Sequence, residues 1–149
     1  MKIVVSPNPY RDKQFKNARQ ACSILREAGA EVALCLPFDV DKNFEIPSDL
    51  RFRDIQKEIK TADMLICFGG DGTILHASKI ATEHSIPILG VNIGTMGFIA
   101  ELEAGEIELL RKIPQGDYTV EERTMLDVCV TGGKQTLFHE TALNDAVIT

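Results

Sequence analysis

Short, unbroken apolar runs recur along the first two thirds of the chain, and segments with apolar residues at helical spacing separate them. Such runs are typical of strands that are buried on both faces of a parallel sheet. The predicted strands are residues 2–6, 31–36, 63–68 and 87–92. The predicted helices are residues 15–25, 52–59, 74–83 and 103–113. The alternation predicts an α/β fold in which helices cover a parallel sheet and the crossovers are right-handed.

A different period begins near residue 118. Between residues 126 and 131 apolar and less apolar residues alternate, which is the period of a strand with one buried face. The other elements predicted here are a hairpin turn at Gly132 and Gly133, a returning strand at residues 136–139 and a strand-like run at residues 142–149. Two or three strands are too few for a stable sheet of their own. We therefore expect a Rossmann-like domain at residues 1–117 and the first strands of an incomplete β-rich domain at residues 118–149.

The composition of the 149 residues is that of a folded, acidic protein. Hydrophobic residues make up 44% and charged residues 26%, so we expect a packed core. The net charge of −6 argues against a general binder of nucleic acid or of membrane surfaces. No apolar run is long enough to span a bilayer, and residues 1–5 are typical of a first strand and not of a signal peptide. The four cysteines lack metal-site spacing, which predicts reduced core residues in a cytoplasmic protein: Cys22, Cys35, Cys67 and Cys129.

The strand predicted at residues 63–68 leads directly into Gly-Gly-Asp-Gly-Thr at residues 69–73, and a helical pattern follows at once. Gly72 or Thr73 is the predicted helix cap. Glycine lets a phosphate approach the backbone closely, and the first N–H groups of a helix point towards it. The candidate phosphate-binding loop therefore consists of Gly69, Gly70, Gly72 and Thr73.

Asp71 is the unexpected residue of this loop, because a carboxylate repels a phosphate. It would suit one of two functions: accepting a proton from an attacking hydroxyl, or holding a metal ion that screens the phosphates. A third interpretation is an ordinary strand-to-helix turn in which Asp71 caps the helix. The motif alone leaves these alternatives open.

Two further motifs follow along the chain. Residues 89–98, Leu-Gly-Val-Asn-Ile-Gly-Thr-Met-Gly-Phe, form a second glycine loop after a predicted strand, and Ala-Leu-Asn-Asp-Ala-Val occupies residues 142–147. In a parallel sheet, ligands bind at the carboxyl ends of the strands. Residues 7–9, 69–73 and 92–98 all fall at those ends, so we expect them to share one site.

Together and in this order, the three motifs closely resemble those of the NAD kinases. The resemblance covers the whole chain. It implies phosphorylation of the adenosine ribose of NAD at its 2′-hydroxyl to give NADP, with ATP as the phosphoryl donor and a divalent cation, Mg²⁺. It also implies a homo-oligomer, either a dimer or a tetramer. Members of the family continue into a completed β-sheet domain that supplies much of the NAD pocket, so we expect this chain alone to have little or no activity.

The resemblance assigns roles to individual residues. Asp71 would accept the proton of the ribose hydroxyl, and Gly72 would lie beside it against the dinucleotide. Phe98 would pack against the ligand as an aromatic side chain. His76, five residues after Asp71, would direct a basic side chain towards NAD.

The third motif supplies an adjacent amide and carboxylate, Asn144 and Asp145, which by the same resemblance would contact the NAD ribose. A carboxylate accepts hydrogen bonds from ribose hydroxyls, and an amide both donates and accepts. Adjacent residues of a strand point to opposite faces, so one of the two should face inwards. The alternative is that the pair belongs to the solvent-exposed face of a half-buried strand.

Two other functions stay open at this point. Lipid kinases of the diacylglycerol type and phosphofructokinases also use Gly-Gly-Asp-Gly, although the sequence shows neither a membrane-binding surface nor arginines clustered near a glycine loop. A nucleotide-binding module without catalysis is a different class of function. A comparison of NAD, diacylglycerol and fructose 6-phosphate as acceptors would separate the three kinds of kinase, and binding of NAD or ATP without phosphate transfer would support the module.

Overall fold

The structure is a computed structural model that describes residues 1–94 and 97–143. It has two compact units, Met1–Tyr118 and Thr119–Thr149. The first unit contains β1 (Lys2–Pro7), α1 (Lys16–Glu27), β2 (Glu31–Leu34), α2 (Ile55–Glu58), β3 (Met64–Gly69), α3 (Asp71–Glu83), β4 (Ile88–Asn92), β5 (Leu102–Glu103) and a 3₁₀ helix (Ala104–Gln115), with short 3₁₀ turns at Lys13–Phe15 and Ile59–Thr61. The second unit contains β6 (Leu126–Gly132) and β7 (Gln135–Ala142).

Five strands form the sheet of the first unit in the order β2-β1-β3-β4-β5, and all four pairings are parallel. Successive side chains of a strand point to opposite faces, and both faces of the central strand β3 are buried. On one face Ile66 and Phe68 belong to a core with α1 and the 3₁₀ helix. On the other face Leu65 and Cys67 belong to a core with α3. The predicted Rossmann-like sheet flanked by helices is confirmed.

The helix predicted at residues 103–113 is a 3₁₀ helix that begins one residue later, at Ala104. Its buried side chains are Ile107, Leu110 and Ile113, which recur every three residues. A 3₁₀ helix has three residues per turn, so this spacing places all three on one side, against the sheet. Glu103 and Glu106 form a capping box at its start.

The helix after the glycine turn begins at Asp71, three residues before the predicted start. Gly70 is its N-cap, so the prediction of Gly72 or Thr73 as the cap is wrong. The reason is that the N–H groups of Thr73 and Ile74 both donate to the Gly70 carbonyl oxygen, over 2.9 and 3.2 Å, which draws residues 71–73 into the first turn. Asp71 is therefore the first helical residue and not a side-chain cap.

The second unit is an antiparallel hairpin whose pairing runs from Leu126 with Ala142 to Gly132 with Gln135. The hairpin turn is at Gly133 and Lys134, one residue later than predicted, because Gly132 still pairs with Gln135; Gly133 has a φ of 63°. The predicted buried face is wrong for the described residues, since Leu126 is 44% exposed and Val130 48%. The described part of this unit has only two strands and no layer that covers them. Of the run predicted at residues 142–149, the part from residue 144 onwards lies outside the described residues.

The cysteines are buried in the first unit and exposed in the second. Cys22, Cys35 and Cys67 are buried and have free thiols, as predicted. Cys129 is exposed, so its prediction as a core residue is wrong, because it lies on the uncovered hairpin. In the described ranges no helix combines the length and the apolar composition that crossing a membrane requires.

Candidate active site

A cleft of about 360 Å³ lies at the carboxyl edge of the parallel sheet. It is lined by Asn8, Arg11, Phe38, Gly70, Asp71, Gly72, Thr73, Gly94 and Gly97. These residues come from the segment after β1, the loop after β2, the turn between β3 and α3, and the loop after β4. The structure thus brings together residues from all three segments predicted at the strand ends, 7–9, 69–73 and 92–98.

The turn between β3 and α3 is tight because Gly69 has no side chain. A Cβ atom at Gly69 would collide with the side chain of Thr73 in the first turn of α3. Glycine therefore lets the helix start directly at the end of the strand, with its amino-terminal end at the cleft. The first N–H groups of a helix have no partner within the helix and favour anions.

The carboxylate of Asp71 is held by the second glycine loop. The backbone N–H of Phe98 donates to its Oδ2 atom over 3.1 Å, and that of Ile99 donates to Oδ1 over 3.3 Å. A Cβ atom at Gly97 would collide with Oδ1, so only glycine lets the loop come this close. Each carboxylate oxygen has a second lone pair. Asp71 is half-buried and lines the cleft, so it can accept a further hydrogen bond from a ligand there.

Asn8 connects the strand ends around the cleft. Its backbone N–H donates to the carbonyl oxygen of Phe68, near the end of β3, over 2.8 Å. Its side-chain Nδ2 atom donates to Thr73 Oγ1 over 2.9 Å. Asn8 thereby fixes the segment after β1 to both the strand and the helix that flank Asp71. The sequence pattern predicts this segment at the edge of the sheet but does not distinguish Asn8 from its neighbours.

Asn92 and Glu103 hold the base of the second glycine loop. Asn92 is 1% exposed, and its Nδ2 atom donates to both carboxylate oxygens of Glu103 over 3.1 and 3.2 Å. Its Oδ1 atom accepts from the N–H of Gly94 over 3.1 Å. These bonds fix the first part of the loop, which then supplies Gly94 to the wall of the cleft.

Sequence reasoning also missed Arg11 and Phe38. No arginine is close to a glycine loop along the chain, but the fold places Arg11 Nη1 3.4 Å from where a Cβ of Gly94 would be. The available signal was the position of Arg11 just after the first strand end, on a segment already expected at the site. Phe38 lies in the loop after β2, which has no periodic pattern that could have located it.

The predicted NAD-binding residues lie in different places. Gly72 lines the cleft beside Asp71. Phe98 is 96% exposed, although its backbone N–H is one of the two groups that hold Asp71. The imidazole of His76 is in the second turn of α3, where Nε2–H donates to the Pro37 carbonyl oxygen over 3.0 Å and the ring meets Phe38 edge-on. Asn144 and Asp145 lie outside the described residues.

Comparison with known proteins gives consistent results. Residues 3–118 match the profile of the ATP-NAD kinase N-terminal domain. The chain is 34% identical over 142 residues to the NAD kinase of Lachnospira eligens, an alignment that covers 95% of this chain and 47% of that relative. It is 30% identical over 152 residues to the NAD kinase of Acetivibrio thermocellus, covering 99% of this chain and 50% of the relative.

A crystal structure of yeast NADH kinase complexed with NADH shares the fold, with a TM-score of 0.68 at 18% identity over 95% of this chain and 46% of that one. The chain spans about half the length of these relatives. The resemblance that the three motifs indicated is confirmed. On the profile match, which extends from β1 to the end of the first unit, the chain belongs to the NAD kinase family.

Proposed function

We propose that the whole gene product transfers the γ-phosphoryl group of ATP to the 2′-hydroxyl of the adenosine ribose of NAD, giving NADP and ADP. The observation that carries the proposal is the carboxylate of Asp71, which lines a glycine-walled cleft at the amino-terminal end of α3. Membership of the NAD kinase family supports the same reaction.

Asp71 acts as the general base of the reaction. A ribose hydroxyl is a poor nucleophile, and its oxygen attacks the γ-phosphorus more readily when its proton moves to a carboxylate. The new bond joins the ribose oxygen to phosphorus, while the bond between that phosphorus and the β–γ bridging oxygen breaks and ADP leaves. The N–H groups of Phe98 and Ile99 fix the plane of the carboxylate, so its remaining lone pairs keep a constant direction. Such a base contributes about 10²- to 10⁴-fold in rate.

The glycine turn binds phosphate groups next to this base. The N–H groups of Asp71 and Gly72 are the first two of α3, and Gly72 exposes its backbone at the cleft. Thr73 positions the turn, because its hydroxyl accepts from Asn8. The turn therefore supplies backbone donors, and Asp71 supplies the base.

The divalent cation, Mg²⁺, fits this cleft as a partner of the ATP phosphates. Mg²⁺ is commonly held by substrate phosphates together with one or two carboxylates and water. Asp71 is the only carboxylate among the described residues that line the cleft, and the described ranges contain no group of three or more His, Cys, Asp or Glu side chains that could hold a metal ion. When bound, the cation would neutralise charge on the phosphates.

The NAD side of the site is assigned as the resemblance implies. Phe98 offers an exposed aromatic face for the dinucleotide, and Asn144 with Asp145 contacts the ribose. His76 would contribute only through its second ring nitrogen, since Nε2 is bonded to Pro37. Residues 1–117 form the nucleotide-binding domain, and residues 118–149 belong to the β-rich NAD-binding domain. The proposed protein is cytoplasmic and assembles as a dimer or tetramer.

The test is NADP formation from NAD and Mg²⁺-ATP, measured with the whole gene product and with its Asp71→Asn variant. Asn keeps the shape of the side chain but cannot accept the proton, so we expect kcat to fall by roughly 10²- to 10⁴-fold. Asp117→Asn, an exposed carboxylate paired with Lys112, is the matched control and should retain full activity.

Unchanged activity in Asp71→Asn would show that Asp71 is not the base. If the unmodified protein makes no NADP, diacylglycerol and fructose 6-phosphate are the next acceptors to compare. Transfer to either would replace NAD as the acceptor, and binding of ATP without any transfer would indicate a non-catalytic module.

A further inference from the structure

The cleft contains one cationic side chain whose function is not yet explained. Among the described residues that line it, Arg11 alone carries a positive charge and Asp71 alone a negative one. A site that must admit phosphate groups next to a carboxylate needs a compensating cation. Arg11 supplies that charge from the protein itself.

Arg11 lies on a turn that is fixed on both sides. The N–H groups of Arg11 and Asp12 both donate to the Asn8 carbonyl oxygen, over 3.2 and 2.9 Å. Asp12 is 1% exposed, and its Oδ2 atom accepts from the N–H of Ala18 in α1 over 2.9 Å. The backbone of Arg11 is therefore anchored to β3 through Asn8 and to α1 through Asp12. An anchored backbone lowers the conformational entropy that this segment loses when the side chain binds a ligand.

The second glycine loop lies against both Arg11 and Asp71. Gly94 of this loop lies against the guanidinium, and Gly97 lies against the Asp71 carboxylate. Three peptide units separate Gly94 from Gly97, so their Cα atoms are at most about 11 Å apart. Both side chains can therefore contact one reacting pair of substrates.

We propose that the Arg11 guanidinium binds the terminal phosphates of ATP during transfer, an inference that rests on the proposed function. Guanidinium groups donate two parallel hydrogen bonds to phosphate oxygens and stay charged at all working pH values. The transferred phosphoryl group must lie within bonding distance of the hydroxyl that Asp71 deprotonates, so the donor phosphates occupy this cleft. The pyrophosphate of NAD is attached through the 5′ carbon, on the far side of the ribose from the 2′-hydroxyl.

The experiment compares Arg11→Gln and Arg11→Lys in the whole gene product, with ATP and NAD varied separately. We expect Arg11→Gln to lower kcat/KM for ATP by roughly 10²- to 10³-fold, as for the loss of one donor to a transition-state charge. The KM for NAD should stay within about threefold. Lys keeps the charge without the planar fork, so Arg11→Lys should recover part of the loss. Arg26→Gln, an exposed arginine in the last turn of α1, is the matched control and should behave like the unmodified protein.

A rise in the KM for NAD with an unchanged kcat/KM for ATP would overturn the proposal and assign Arg11 to the NAD pyrophosphate. Equal activity of Arg11→Gln and the unmodified protein would overturn it as well. Failure of the proposed function is a distinct result, because the unmodified protein would then make no NADP. Calorimetric titration with ATP decides in that case: a lower affinity in Arg11→Gln supports the phosphate contact, and an equal affinity overturns it.

Discussion

The two units of the molecule have similar apolar strand patterns, but the strands are buried only in the first unit. In the first unit all six residues of β3 are buried, under α3 on one face and under α1 with the 3₁₀ helix on the other. In the second unit none of the described residues of β6 and β7 is buried. An apolar strand pattern therefore predicts the extended backbone, whereas burial depends on a second layer that packs against the strand.

The two units also differ in the burial of their hydrogen-bonded carboxylates. Asp12 in the first unit is buried and accepts three hydrogen bonds at the start of α1. Asp127 in the hairpin meets His139 over 2.6 Å, but its side chain is 73% exposed. A polar contact that is removed from water contributes more to stability than one that water can replace. The two units thus provide matched pairs of residues for experiments.

The largest difference between the units should appear in cysteine reactivity. Burial raises the pKa of Cys67 to about 12 and that of Cys22 to about 11, so few thiolates form at pH 8, whereas Cys129 is exposed. A buried thiol reacts only when the core opens, so we expect it to be alkylated at least ~1,000-fold more slowly than Cys129. Mass spectrometry after timed exposure to iodoacetamide measures both rates. Similar rates would mean that the first unit opens as readily as the hairpin.

The same substitution should affect stability differently in the two units. Leu65 in β3 is fully buried, and Leu137 in β7 is 67% exposed. Leu65→Ala removes packed methyl groups and leaves a cavity, so it should lower the free energy of unfolding by about 2–5 kcal/mol. Leu137→Ala should change it by less than about 0.5 kcal/mol. Urea denaturation of both variants tests this, and a large cost at Leu137 would show that the hairpin face is covered in solution.

The sequence predicted the helix-flanked parallel sheet of the first unit, and the errors elsewhere have physical causes. The four long strands and the parallel sheet follow from apolar runs such as residues 63–68, because local pattern and burial agree there. The start of α3 was placed too late because glycine and aspartate have low helix propensity. The bonds from Thr73 and Ile74 to Gly70 outweigh that preference.

Part of the candidate site could be predicted because its residues are close together in the sequence. Asp71 and its glycines are adjacent in the chain, so their spacing alone located the turn. Arg11 and Phe38 reach the same cleft only through the order of the strands, because β1 pairs with both β2 and β3. No pattern within a short window of sequence contains that information.

Loss of a hydrogen-bond acceptor should lower the free energy of unfolding more at the buried Asp12 than at the exposed Asp127. Asp12→Asn replaces an oxygen that accepts from α1 with an N–H₂ group, so we expect a loss of about 1–3 kcal/mol in the free energy of unfolding. Asp127→Asn weakens an exposed pair with His139 and should lose less than about 1 kcal/mol. Thermal melts of both variants provide the comparison. An equal loss at the two sites would contradict the view that burial sets the size of the effect.

The smallest effect concerns surface charge and its dependence on pH. In the first unit Glu58 accepts from Lys2 over 2.7 Å, and this hydrogen bond, reinforced by the charges of Lys2 and Arg53, lowers the pKa of Glu58 below its usual value of 4.5. A lowered pKa means that the ionised form is stabilised in the fold. Its contribution is fully present above about pH 4.5 and is lost as the pH falls through the lower pKa of the folded state.

Glu58→Gln should therefore be slightly less stable than the unmodified chain at pH 7, and the difference should disappear as the pH falls from 4.5 towards 3. Glu121→Gln in the second unit is the matched control. Glu121 is 3.6 Å from Arg123 with an 81% exposed side chain, so its substitution should shift stability little at any pH. Urea midpoints at several pH values test both variants. If the Glu58→Gln difference stayed constant down to pH 3, the stabilisation would come from packing and not from the charge.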